Sequence, residues 1–170
     1  VRPQTILDIA AENQLPLPAP TVKELKLKIG MRQGEDLLAF LKKFDHFRFV
    51  FDQPQTLKRL AYECIQDNSR ENIRYTELRI NPRKNLEKVS VNQVLDSVLE
   101  GMDQAKRDLG VDCRLIASIN RSYPVESAME IARAAVALKD RGIVGLDLAG
   151  DEVNHPASKF TEVFDYAKAN

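Results

Sequence analysis

Three short apolar runs, each followed by a helical pattern, recur about every 35 residues in the second half of the chain. They are "IRYTELRI" (73–80), "VDCRLIASI" (111–119) and "IVGLDLA" (143–149). Strand–helix repeats of this length build parallel sheets, because a parallel neighbour needs a crossover helix. Right-handed crossovers leave two architectures, a doubly wound open sheet or a stretch of a (β/α)8 barrel. The charges within the runs favour the barrel. Glu77 and Arg79 share one face of the first run, Arg114, Ser118 and Asn120 one face of the second, and Asp147 lies inside the third. A strand buried on both faces reads as continuous Val, Ile and Leu. A barrel interior brings such charged faces together, so Glu77, Arg79, Arg114 and Asp147 are expected to form an internal charge network rather than to act as catalysts. Three strands do not close a barrel of eight, which takes about 250 residues. The expected fold is therefore α/β, a partial barrel.

The helices announce themselves by their ends. Ser90 with Gln93 forms a capping-box pattern before an apolar stripe that Gly110 closes, and Pro124 opens another helix, expected to run to Gly142. Upstream, Pro3 opens a first helix, Pro16, Pro18 and Pro20 make a rigid connector, and Thr21 with Glu24 suggests a second capping box. "EDLLAFLKKFDHFRFVF" (35–51) reads as one helix, apolar over more of its circumference than a surface helix needs. Pro54 opens the next, with Leu57, Leu60, Ala61, Cys64 and Ile65 in a stripe.

Charge excludes some functions. Lys plus Arg and Asp plus Glu both number 25, so the chain lacks the basic excess that nucleic-acid or polybasic membrane binding requires. No run approaches the length of a membrane span, and Cys64 and Cys113 read as free thiols of a cytoplasmic protein.

In a barrel of this kind the functional residues sit at the C-terminal strand ends, here "RINPR", "INRSYP" and "LAGDE". Each is also a plain βα turn. Gly150 stands out, since a glycine ending a strand lets a ligand approach a free backbone N–H. His46 and His155 lie far apart in sequence, in no metal-binding motif, and neither cysteine has a histidine partner. The residues alone describe a scaffold with a rim.

Four segments together resemble the adenosine deaminase family of zinc-dependent aminohydrolases: "RPQTILDIAAENQ", "LLAFLKKFDHF", "IRYTELRINP" and "GLDLAGDE". The resemblance follows the family's order over nearly the whole chain. It implies that the three strands are the second, third and fourth of a (β/α)8 barrel. Residues 1–170 would be part of a single barrel domain, with a helical insertion at about 21–70 before the first strand present. It implies Zn2+ in the full-length protein, held by motifs that lie outside this sequence, so no metal ligand and no catalytic residue is expected here and the chain alone is expected to be inactive.

Carried over residue by residue, the resemblance makes Gly150 the glycine whose N–H meets the purine ring. Leu37, Phe40, Leu41 and Phe44 become the apolar helix covering the pocket. Asn120 stands where many members have an apolar rim residue, and Ile80 where others have an aromatic one. The implied reaction is hydrolytic deamination of adenosine or deoxyadenosine to inosine and ammonia, with a small purine nucleoside as partner, no nucleic acid and no membrane. "SINRS" resembles the branch acting on N6-modified adenine nucleotides, which makes a methylated AMP the alternative substrate. A non-catalytic relative or fragment, serving as a folding or association unit, is the alternative of another class.

Overall fold

β1 (Tyr75–Ile80), β2 (Asp112–Asn120) and β3 (Ile143–Ala149) form one parallel sheet in the order β1-β2-β3. The computed structural model describes residues 1–51, 53–82 and 89–170. Glu77 lies opposite Arg114 in the register, and Ser118 opposite Asp147. Because side chains alternate, each strand has two faces of different chemistry. Cys113, Leu115, Ala117 and Ile119 of β2 are buried in the main core, with Leu78 and Ile80 of β1 and Leu146 and Leu148 of β3 packed against it. The other face carries Glu77, Arg79, Ser118, Asn120 and Asp147. A sheet whose spatial order follows its chain order returns every right-handed crossover to one side. A doubly wound sheet reverses its order and covers both faces. Among the described residues the sheet follows the barrel pattern.

Two helices follow β1 and β2. α5 (Val91–Leu109) follows β1; α4 (Pro54–Arg70) precedes it. Both halves of the Ser90–Gln93 capping box are made, and Gly110 ends the helix in the left-handed conformation. The buried stripe Val91, Val94, Leu95, Val98, Leu99 and Met102 recurs at helical spacing and faces the sheet. α5 also packs hard on α4. A Cβ added at Gly101 would lie 2.3 Å from the Lys58 carbonyl oxygen and 3.0 Å from Ala61 Cβ, so the two backbones meet where glycine permits it. α6 (Val125–Ala137) follows β2, as Pro124 signals. It stops five residues before Gly142, and Lys139–Arg141 form a separate 3-10 turn ahead of that glycine. α7 (Thr161–Ala169) follows β3 and packs against α6.

α1 (Pro3–Glu12), α2 (Val22–Ile29) and α3 (Leu37–Lys43) come before α4. α1 lies along α4 through an ion-pair seam: Arg2 to Asp67 at 2.6 Å, Arg59 to Asp8 at 3.0 Å, and Thr5 donating to Glu63 at 2.5 Å. At the start of α2 only half of the expected capping box forms. Thr21 accepts from the Glu24 N–H, while its hydroxyl donates to the Glu24 carboxylate, which therefore does not reach back to the Thr21 backbone.

The single helix expected over 35–51 is broken. α3 ends at Lys43, 3-10 turns span Phe44–His46 and Arg48–Phe51, and Phe47 between them leaves helical geometry at φ −138°. The broad apolar coverage explains the break, because the segment serves two surfaces. Val50 is fully buried with Ile6, Ile9, Leu25 and Leu60, with Phe47, Phe49 and Phe51 packed against that group, and one straight helix cannot turn those residues inward while α3 faces elsewhere. A run of aromatic and β-branched residues also costs helix propensity.

Candidate functional site

The C-terminal ends of β2 and β3 meet at two residues. Gly150 has φ +107°, where a side chain is strained, and a Cβ there would lie 2.9 Å from Asn120 Oδ1 and 3.3 Å from its Cγ. The carboxamide of Asn120 thus lies against the bare Cα of Gly150. Its Oδ1 accepts from the Ser122 backbone N–H at 2.9 Å and from the Ser122 hydroxyl at 2.7 Å. This is an Asx turn, which bends the chain out of β2 toward Pro124. One residue on, the Arg121 N–H donates to the Ala149 carbonyl at 2.9 Å, tying the two strand ends together.

The loop after Gly150 is ordered by its own acids. Asp151 accepts from the Val153 and Asn154 N–H groups and from Asn154 Nδ2 at 2.6 Å, and these bonds hold its carboxyl below the usual carboxylate range, the Asn154 side chain contributing most. Arg121, mostly buried, reaches this loop through Glu152 at 3.5 Å and the His155 carbonyl at 3.3 Å.

The expected charge network divides into separate pairs. Arg79 meets Asp147 at 3.2 Å, and Asp147 also accepts from Ser118 at 3.0 Å. Glu77 accepts from the Tyr75 hydroxyl at 2.6 Å, which raises the tyrosine's pKa. Arg114 turns instead to Asp112, two residues back on its own strand, at 2.8 Å. It does so although Glu77 lies directly opposite Arg114 in the register, Glu77 being taken by Tyr75 on its own strand.

Ile80 lies on the face opposite the candidate site. It shares the helix side of β1 with Leu78, in register with buried Ala117, because residues two apart on a strand point the same way. "RINPR" ends on Arg83, which lies outside the described residues.

Leu37, Phe40, Leu41 and Phe44 lie on α3 and the turn that follows it. Leu37 is 45% exposed and Phe40 37%, and Phe40 and Phe44 meet edge to face at 5.2 Å. Asp36 caps α3 by accepting from the Ala39 N–H, and Lys43 at its far end is bonded to the Gly30 carbonyl and, at 2.5 Å, to Glu35. This clasp fixes both ends of a helix whose apolar residues are half open.

His46 is exposed in its 3-10 turn, and His155 lies in the loop beyond β3. Cys64 is half-buried and Cys113 buried, both as free thiols whose pKa burial pushes up. Among the described residues no three His, Cys, Asp or Glu side chains gather into a group able to hold a metal ion. Asp151 is occupied by its own turn, and Asp147 by Arg79 and Ser118.

The sequence pattern of the adenosine deaminase family matches residues 1–170. The chain belongs to the adenosine deaminase family. The adenosine deaminase of Klebsiella pneumoniae is 36% identical over 171 residues, covering 99% of this chain and 51% of the relative. The chain thus spans about half the length of the curated relatives it matches. The solved Arabidopsis ADAL complexed with GMP is 26% identical at a TM-score of 0.82, covering all of this chain and 52% of that one. An amidohydrolase from Burkholderia ambifaria with bound Zn, at 24% identity, shares the fold at a TM-score of 0.84 over 99% of this chain and 46% of its own. These neighbours make the three-stranded sheet a partial TIM barrel of the deaminase type.

Ser122 and Tyr75 were not picked out from the sequence as partners of site residues. "NRS" carries the signal for the first, since an Asn followed two residues later by a backbone donor is an Asx-turn pattern. Alternation along β1 places Tyr75 beside Glu77 in the same way.

Proposed function

We propose that this chain supplies a substrate-binding wall of a zinc-dependent aminohydrolase that converts adenosine or deoxyadenosine to inosine and ammonia. In that reaction water adds at the aminated ring carbon, the carbon–nitrogen bond breaks, and the product carries a carbonyl in place of the amine. The observation that carries the reading is the corner at Gly150, where a left-handed glycine leaves the backbone bare at the strand end, within a chain matched to the family along its whole length. Gly150 offers its N–H to the purine edge. Leu37, Phe40, Leu41 and Phe44 cover the base. Arg79 and Asp147 brace the strands beneath.

Residues 1–170 are one part of a single barrel domain, with the helices of about 21–70 inserted before β1. The metal is held by parts of the longer protein beyond these residues, and this chain binds and orients the purine. A cytoplasmic location fits the free thiols, and no helix among the described residues is long and apolar enough to cross a membrane.

A second reading, deamination of an N6-modified AMP, is favoured by "SINRS" (118–122) and by the likeness to an Arabidopsis protein solved with a nucleotide. Ammonia and methylamine release from adenosine, deoxyadenosine and N6-methyl-AMP by the zinc-loaded full-length protein separates the two. Turnover of the nucleosides with little of the methylated nucleotide supports the first reading, and the reverse preference replaces it with the second. Release of neither amine from any of them supports the non-catalytic alternative.

A further inference from the structure

Asn120 has a side chain whose two ends are committed differently. Its Oδ1 takes both donors of Ser122, the backbone N–H at 2.9 Å and the hydroxyl at 2.7 Å. A carboxamide whose oxygen is saturated this way has only its Nδ2 hydrogens left to offer. The orientation of the amide is not ambiguous, because a backbone N–H requires the oxygen at that end. Nδ2 lies 3.5 Å from the position a Cβ would take at residue 150, so it sits beside Gly150 at the strand-end rim. Asn120 also belongs to the sheet face of Ser118 and Asp147, the face away from the helices. An apolar residue in its place would offer a ligand nothing polar. This one presents a donor whose direction is set before the ligand arrives, and pre-set donors lose little freedom on binding.

We propose that Asn120 is a specificity-determining residue that donates from Nδ2 to a hydrogen-bond acceptor of the bound purine compound, and that Ser122 is the positioning residue that holds it in the donor orientation. The ligand class is therefore an aminated purine with an acceptor, a ring nitrogen or a sugar or phosphate oxygen, next to the edge that meets Gly150. This inference rests on the function proposed above.

Asn120→Asp is the decisive variant. Aspartate keeps the shape and both acceptor bonds to Ser122, and so the Asx turn, while removing the donor. In the zinc-loaded full-length protein, Asn120→Asp is expected to raise KM for the preferred substrate about tenfold, with kcat within about threefold, the pattern of a lost binding contact. Its melting temperature should stay close to that of the unsubstituted protein. Ser122→Ala should raise KM by about threefold, since the backbone N–H still holds Oδ1, and Ser122→Thr, which keeps the hydroxyl, should restore it. A KM for Asn120→Asp within twofold of the unsubstituted value overturns the assignment to Asn120 and leaves the function standing. If Asn120→Asp unfolds, an unchanged KM in Ser122→Ala overturns the positioning arm and the proposal with it. Absence of turnover in the unsubstituted protein on every aminated purine overturns the function, and this inference falls with it.

Discussion

Arg79 and Asp147 belong to strands that are not neighbours, yet their side chains meet at 3.2 Å across β2. Adjacent strands lie about 4.8 Å apart, so the pair spans about twice that distance over the face of the sheet away from the helices. Ser118, in register with Asp147, fills the gap with a 3.0 Å bond to the same carboxylate oxygen. The two outer strands are thus coupled through a charge on the face away from the helices. Asp147→Ala leaves both Arg79 and Ser118 without this partner and should lower stability by about 1–2 kcal/mol in urea unfolding. Asp147→Asn keeps an acceptor for Ser118 and should lose less.

Gly150→Ala combines a strained φ of +107° with a Cβ 2.9 Å from Asn120 Oδ1. A cost of about 1–3 kcal/mol in stability is expected. Because the displaced groups are the proposed purine contacts, kcat/KM should fall by more than the thermal shift alone implies. Calorimetry and steady-state kinetics on the same preparation separate the two effects.

Gly101→Ala should be destabilising although alanine is the better helix former by about 1 kcal/mol. The added Cβ would meet the Lys58 carbonyl oxygen at 2.3 Å, a backbone atom that cannot swing aside. Forcing α4 and α5 apart is expected to cost a net of about 1–3 kcal/mol, read as a lower melting temperature.

Arg2 holds the Asp67 carboxyl below its ordinary value, mainly through their hydrogen bond. A carboxylate depressed in the folded state contributes stability that is fully present above the unfolded pKa, near 3.9, and is lost as pH falls through the folded one. Both partners are partly exposed, so the contribution is small, about 0.5 kcal/mol. Asp67→Asn should lower stability at neutral pH by about that amount. The difference from the unsubstituted protein should vanish in acid, as urea midpoints at pH 7 and below pH 3 will show.

The recurrence of short apolar runs between longer helical stripes made the three parallel strands and their helices legible. The capping signals of α5 were equally plain, since the Ser90–Gln93 box is a local interaction. The broken helix over 35–51 was not, as the pull on Val50 comes from Ile6, Ile9 and Leu25, which are distant in sequence. The end of α6 at Ala137 was hidden by the glycine at 142, which closes a 3-10 turn instead. At the site, Gly150 could be singled out by type and place. The lock on Asn120 could not be weighed until the turn brought Ser122 back to it. The partners of Arg114 and Glu77 also depended on rotamers that alternation does not specify.

Residues 1–170 are proposed to form a purine-binding wall whose reaction needs a metal held by the rest of a longer protein. Ammonia release from adenosine, measured with zinc present for the full-length protein and for residues 1–170 alone, tests it most directly. Turnover by the full-length protein and none by residues 1–170 is the expected result. Turnover by residues 1–170 alone, or none from adenosine, deoxyadenosine or N6-methyl-AMP by the full-length protein, would contradict it.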